Sequence, residues 1–193
     1  MATVATPVDP QSLEWNEGAV TLPGIRSKVY FIAKRNIAAW PVLPGVITTD
    51  MGDLASYTGS FTLITTTPAV VWKELDVLVD NSPVKSEAQG SKPSKSFLNT
   101  ATFVSPRVDE QAAGLARIAN NDDYVFLIQE KPGKYRVIGN EMYLTEVKTS
   151  QSLGSKPTDE MSTTYEASVT DVCPAPYYTG EIITENGTIN GTT

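Results

Sequence analysis

The chain has 193 residues, 40% hydrophobic and 19% charged, which is the composition of an ordinary globular domain with one sizeable core. Its formal net charge of −7 disfavours tight binding to nucleic acid, because that depends on lysine and arginine neutralising phosphates. With no histidine and a single cysteine, the chain lacks the usual ligands for zinc and other transition metals, most nucleophile–base pairs and any internal disulfide.

Residues 1–23 carry Pro7, Pro10 and Pro23 among mixed polar residues and read as an arm. No charged-then-apolar start and no apolar run approaching ~20 residues reads as a signal peptide or a membrane span. In "KVYFIAK", Val29, Phe31 and Ala33 alternate with Tyr30, Ile32 and Lys34. Both faces are largely apolar, which suits a central strand. "WPVLPGVITTDMGDLASYTGS" (40–60) reads as a long loop, the kind of excursion that carries function. "SFTLIT" and "AVVWKELDVLVD" read as strands. In the second, Glu74 and Asp76 are the best candidate for a paired-carboxylate site, although spaced i, i+2 on one strand face they suit a solvated or interface face better.

Asp109 can cap a helix running to about Asn120, with Val108, Ala112, Leu115, Ala116 and Ile118 as its apolar stripe. "DYVFLIQE" and "YRVIGN" flank "KPGK", a two-residue turn candidate. Cys173, in "DVCPAP", reads as a buried small apolar residue. The polar tail "ITENGTINGTT" is expected to fray. Its sequons at Asn186 and Asn190 matter only in a secretory pathway. The units are therefore an arm (1–23), a folded domain (24–180) and a flexible tail (181–193).

One unit is written twice. "VKSEAQGSKPSKSFLNTATF" begins at Val84 and "VKTSQSLGSKPTDEMSTTYEASV" at Val147, both with Val-Lys and Gly-Ser-Lys-Pro. Neither GSKP has the Gly-Lys-Ser/Thr ending of a phosphate-binding loop. Each has a polar outgoing strand and a return strand of alternating character, so residues 84–104 and 147–170 read as two hairpins, each with one wetted face and one partly apolar face. Such hairpins leave unpaired edges, and closing several copies around an axis removes them.

The order of elements resembles the major tail tube proteins of bacteriophages, over roughly Gly24 to Gly180. The order is "LPGIRSKVYFIAKRNIAAWP", "GSFTLI", "VWKELDVLVDNSPVKSEAQG", "SFLNTATFVSP", a helix, "YVFLIQEKPGKYRVIGNE", "VKTSQSLGSKPTDE" and "PYYTGEI". The resemblance implies a mainly β fold, an antiparallel β-sandwich or split barrel flanked by one α-helix, with an extended loop and an N-terminal arm. It also implies a structural protein with no catalytic role and no cofactor, assembled as six subunits per ring in the virion tail after synthesis in the bacterial cytoplasm. Rings stack into a tube, and two hairpins per subunit line a channel through which the genome leaves. About 24 strands at ~4.8 Å spacing and ~40° tilt close to a diameter of roughly 48 Å.

The implied partners are further copies of the chain, a tape-measure protein in the lumen, and tail terminator and baseplate or hub proteins at the ends. DNA passes without specific binding, and the chain enters no membrane. In this sequence the lumen candidates are Lys85, Glu87, Lys148, Glu166 and Ser168. Contacts between subunits or rings fall to Leu13, Trp15, Trp40, Val42, Leu43, Leu54 and Tyr57, apolar residues that a solvated arm or loop does not need. A tail terminator, another head-to-tail ring component or an injection-machine tube shares this pattern. A secreted β-sandwich binding module shares its strands and sequons.

Overall fold

A strand that is apolar on both faces needs cover above and below it, and the chain supplies both layers. A computed structural model describes residues 8–191, except Thr49 and Pro157. In chain order the elements are β1 (Ile25–Ala33), β2 (Ile37–Ala39), β3 (Ser56–Tyr57), β4 (Thr62–Leu63), β5 (Lys73–Asp76), β6 (Val84–Gln89), β7 (Ser96–Ser105), α1 (Glu110–Ala119), β8 (Tyr124–Glu130), β9 (Tyr135–Ile138), β10 (Glu146–Ser152), β11 (Ser162–Asp171), β12 (Tyr177–Tyr178), β13 (Glu181–Thr184) and β14 (Gly187–Asn190). The fold is mainly β, an antiparallel sandwich flanked by one α-helix. Among the described residues no sheet closes into a barrel.

The central sheet has the order β3-β12-β9-β8-β1-β5. One of its faces turns Val29, Ala33, Phe126 and Ile128 toward a second sheet, β10-β11-β7-β6, which contributes Ala101, Phe103, Tyr165, Ala167 and Val169. The other face turns Tyr30, Ile32, Val125, Leu127 and Val137 toward a second core around Phe61, Trp72 and Tyr178. Phe61 is the hub of that core, with its ring 5.1 Å from Trp40, 5.4 Å from Trp72 and 5.1 Å from Tyr178.

The second layer is where the structure departs most from expectation. The segment 40–60 is not simply a loop reaching toward other copies: Trp40 and Leu43 pack on the second core and Tyr57 is buried in it. Val42 and Thr58 form a bridge, and β3 pairs in parallel with β12. The C-terminal segment is also paired. β13 and β14 form a hairpin that places Ile182 and Ile189 on the same core, so the folded domain extends to Asn190. The hairpin's two-residue connection is Glu185–Asn186, and Gly187 opens β14 with φ of 127°. Residues 192–193, like the first seven of the arm, lie outside the described residues.

Smaller differences have local causes. The strand expected over "AVVWKELDVLVD" is confined to β5, because Trp72 turns into the second core and residues 79–81 form a 3-10 turn. The β8–β9 connection spans residues 131–134 rather than two, with Gly133 N donating to Glu130 O at 2.9 Å. Helix α1 begins as expected, the Asp109 carboxylate accepting from Ala112 N at 2.8 Å. Its buried stripe is Ala112, Leu115, Ala116 and Ala119, and Ile118 faces solvent.

Asp171, at the end of β11, is a buried carboxyl. Burial pushes it above the ordinary carboxylate range, partly offset by hydrogen bonds from Val172 N and the Asn140 side chain. The folded protein therefore holds this proton more tightly than the unfolded chain. The resulting stability is full below the unfolded pKa and is lost as pH rises through the raised folded value. Asp171→Asn is expected to raise the Tm by a few degrees at neutral pH and to give no gain at pH 3, as read by thermal unfolding at the two pH values.

Candidate functional site

The repeated unit has a conformational basis. Gly90 and Gly154 open the two hairpin tips with φ of 78° and 68°. A Cβ at Gly90 would lie 3.0 Å from Ser94 O, and one at Gly154 would lie 2.9 Å from the Asp159 side chain. Both tips thus need a residue with no side chain in left-handed backbone. In the second tip the Asp159 carboxylate accepts from Ser155 N and Lys156 N at 2.8 and 2.9 Å, which depresses its pKa.

The two hairpins, β6–β7 and β10–β11, are not separate. β7 and β11 pair antiparallel from Ser105↔Thr163 to Phe97↔Asp171, merging them into one four-stranded sheet. Among the described residues, β6 and β10 are left as the unpaired edges of this sheet, where two edges per hairpin were expected. Because β7 and β11 run in opposite directions, the tips project from opposite ends of the sheet.

Strand alternation then sorts the side chains. On the inner face Ala101, Phe103, Val147, Tyr165, Ala167 and Val169 fill the first core. Asn99, fully buried among them, donates to Cys173 O at 3.1 Å and accepts from Ala175 N at 3.0 Å, tying the loop after β11 to β7. Lys85, Glu87, Lys148, Glu166 and Ser168, the five residues expected to line a channel, all share the outer face. Lys85, Glu87, Lys148 and Glu166 are exposed and Ser168 is half-buried. Glu146 joins them, 3.5 Å from Lys148, a residue that parity alone would have found. The rest of this face is largely hydroxyls, among them Thr100, Thr102, Ser150, Thr164 and Thr170, with Leu98 and Val104 as its apolar members. A surface of neutral hydroxyls with sparse charges of both signs has little to hold a polyanion with.

The residues expected to contact other copies divide into two groups. Leu13 and Trp15 stand out from the arm, 88% and 71% exposed, and Val42 is also exposed. Leu54 is half-buried in a 3-10 turn. Trp40, Leu43 and Tyr57 serve the chain's own second core, so their apolar character is explained without a partner. Sequence reasoning missed Met142, Tyr143 and Leu144, three consecutive exposed apolar residues just before β10. The run "MYL" between Glu141 and Glu146 was the available signal.

Lys28 donates to Glu74 at 2.6 Å and holds its carboxyl below the usual range. A cleft of about 490 Å³ opens beside β6, over Ile25, Ile128 and Ala175. Its Arg136 is engaged by Glu130 at 2.5 Å and by Ala175 O at 2.9 Å. Burial pushes the Cys173 thiol up to about 12, as expected of a packed side chain. Among the described residues, no acidic or cysteine cluster is arranged to hold a metal ion, and no helix is long and apolar enough to cross a membrane. The chain matches no family model, no curated protein and no solved structure, so its function has to be argued from this geometry.

Proposed function

We propose that this chain is a tube-forming structural protein of the bacteriophage tail-tube type, whose four-stranded sheet is one segment of the wall of a continuous channel. The observation that carries the proposal is the sheet β10-β11-β7-β6, polar on its outer face, anchored on its inner face and unpaired at both edges. Its four strands alternate in direction. A copy rotated about an axis along the strands therefore presents β10 antiparallel to β6, and any number of copies closes with the same antiparallel seam. Closure removes both edges, which are otherwise a template for uncontrolled pairing. Six copies give about 24 strands, enough to pass a DNA duplex.

Charge at the two ends of the sheet supports head-to-tail stacking. The first tip carries Lys92 and Lys95 with no acidic residue between Gly90 and Lys95, whereas the second carries Asp159 and Glu160 against Lys156. Stacked rings bring a basic tip against an acidic one, a heterologous contact that propagates into a filament.

Negative-stain imaging of the purified protein tests the proposal: stacked rings with a hollow axis are expected, and a dispersed 20.8 kDa monomer at every concentration would sink it. The exposed arm residues Leu13, Trp15 and Val20 supply apolar surface for contacts between rings. Deleting residues 1–20 is expected to leave a folded protein that forms rings but no long tubes, as measured by sedimentation and imaging. Unchanged tube length would remove the arm from the contact.

A further inference from the structure

We infer that neighbouring copies join β6 to β10 with a stagger of four residues, placing Glu87 of one copy directly opposite Lys148 of the next. The inference rests on the tube reading and adds to it the register of the seam.

Three independent features lead to it. The first is length. Val84, Ala101, Ala167 and Val147 lie in one row across the sheet. From that row β6 runs on to Gln89 in one direction, while β10 extends one residue that way, to Glu146, and otherwise runs the opposite way to Ser152. With no stagger the two edges overlap only at Val84 and Lys85. Displacing the neighbour by four residues gives every residue of β6 a partner, from Val84 opposite Gln151 to Gln89 opposite Glu146.

The second feature is parity. An odd displacement would set outer-face residues against inner-face residues, so only even staggers are allowed. The hydrogen-bond pattern agrees. Thr102 N donates to Pro83 O at 3.0 Å, so the alternation of bonded pairs leaves the backbone groups of Val84, Ser86 and Ala88 aimed at the free edge. The same alternation leaves those of Val147, Thr149 and Gln151 aimed outward from β10. A stagger of four matches these two sets as Val84 with Gln151, Ser86 with Thr149 and Ala88 with Val147.

The third feature is charge. A stagger of two would set Lys85 opposite Lys148 and Glu87 opposite Glu146, two like-charge pairs, which are destabilising. A stagger of six leaves Val84 beyond the end of β10 and pairs no opposite charges. A stagger of four sets Glu87 against Lys148 in a non-hydrogen-bonded pair, where side chains approach most closely. It corresponds to one residue of shear per strand. A rise of ~3.4 Å over a spacing of ~4.8 Å gives a tilt of roughly 35°, at the lower end of the range for closed barrels. Length, parity, charge and tilt thus select one register.

Cysteine pairs in the full chain test it, since Cα atoms in such a row are close enough for a disulfide and Cys173 is buried. Oxidising assembled Glu87→Cys/Lys148→Cys protein is expected to yield a ladder of crosslinked oligomers. Lys85→Cys/Lys148→Cys and Gln89→Cys/Lys148→Cys, which report staggers of two and six, are expected to yield none. In a second arm, Glu87→Lys should raise the concentration needed for assembly about tenfold at low salt, and adding Lys148→Glu should restore it. A ladder from either control pair, or assembly indifferent to Glu87→Lys, overturns the register while leaving the ring standing. Wild-type protein that stays monomeric overturns the ring and the register together.

Discussion

Ala88→Pro is expected to give a folded, soluble monomer that forms no tubes. Ala88 is exposed on the edge strand β6, and its N–H points away from β7. Proline there removes no hydrogen bond from the monomer, which is why edge strands accept it. In the assembled wall that N–H would be a seam donor, and the ring of proline would occupy the space of the incoming strand. Leaving one buried carbonyl unpaired costs about 1–3 kcal/mol per seam, and a ring repeats that cost at every seam. Circular dichroism and thermal unfolding should match the parent protein, while sedimentation should show only monomer. Normal tubes from Ala88→Pro would mean that β6 is not a seam.

Phe103→Ala is expected to cost about 3–5 kcal/mol of stability and to lower the Tm by roughly 10 °C. Phe103 is fully buried on the inner face of β7, with its ring 5.0 Å from that of Phe126 in the facing sheet. The cavity would open where the four-stranded sheet packs on the central sheet. On the opposite face of the same strand, Thr102→Ala removes only a half-exposed hydroxyl and should stay within about 0.5 kcal/mol. Chemical denaturation of the two variants measures the contrast, and equal losses would contradict the assignment of inner and outer faces.

Much of the four-stranded sheet was legible because its signal is local. A period of two in "SFLNTATFVS" and "STTYEASVTD" divides Asn99, Ala101 and Phe103 from Leu98, Thr100 and Thr102 without reference to any other strand. The same period sets Lys85 with Glu87 on one face of β6, but that they share a face with Lys148 and Glu166 follows only from the pairing of the strands. The capping Asp109 and the two-faced β1 were legible for the same reason.

The joining of the hairpins was not legible. Pairing β7 with β11 is a long-range choice, and nothing in either strand names its partner. The row that aligns Val84 with Val147, and hence the stagger of the two edges, exists only once that pairing is made. The second layer was misjudged for a different reason. The length of 40–60, with Pro41, Pro44 and its glycines, suggested an excursion toward other copies, while the two apolar faces of β1 and β8 already required something to cover them. Trp40, Leu43, Tyr57 and Phe61 answer that requirement, together with Ile182 from the C-terminal hairpin.

Hydrogen exchange on the monomer and on the assembled tube tests the central claim most directly, because it reads the seam amide by amide. The amides of Val84, Ser86 and Ala88 on β6 and of Val147, Thr149 and Gln151 on β10 should exchange fast in the monomer and become protected on assembly. Those of β7 and β11, paired on both sides within the chain, and of β8 in the central sheet should be protected in both states. Equal protection of the β6 and β10 edges in monomer and assembly would contradict the account, since it would mean that these edges are never joined.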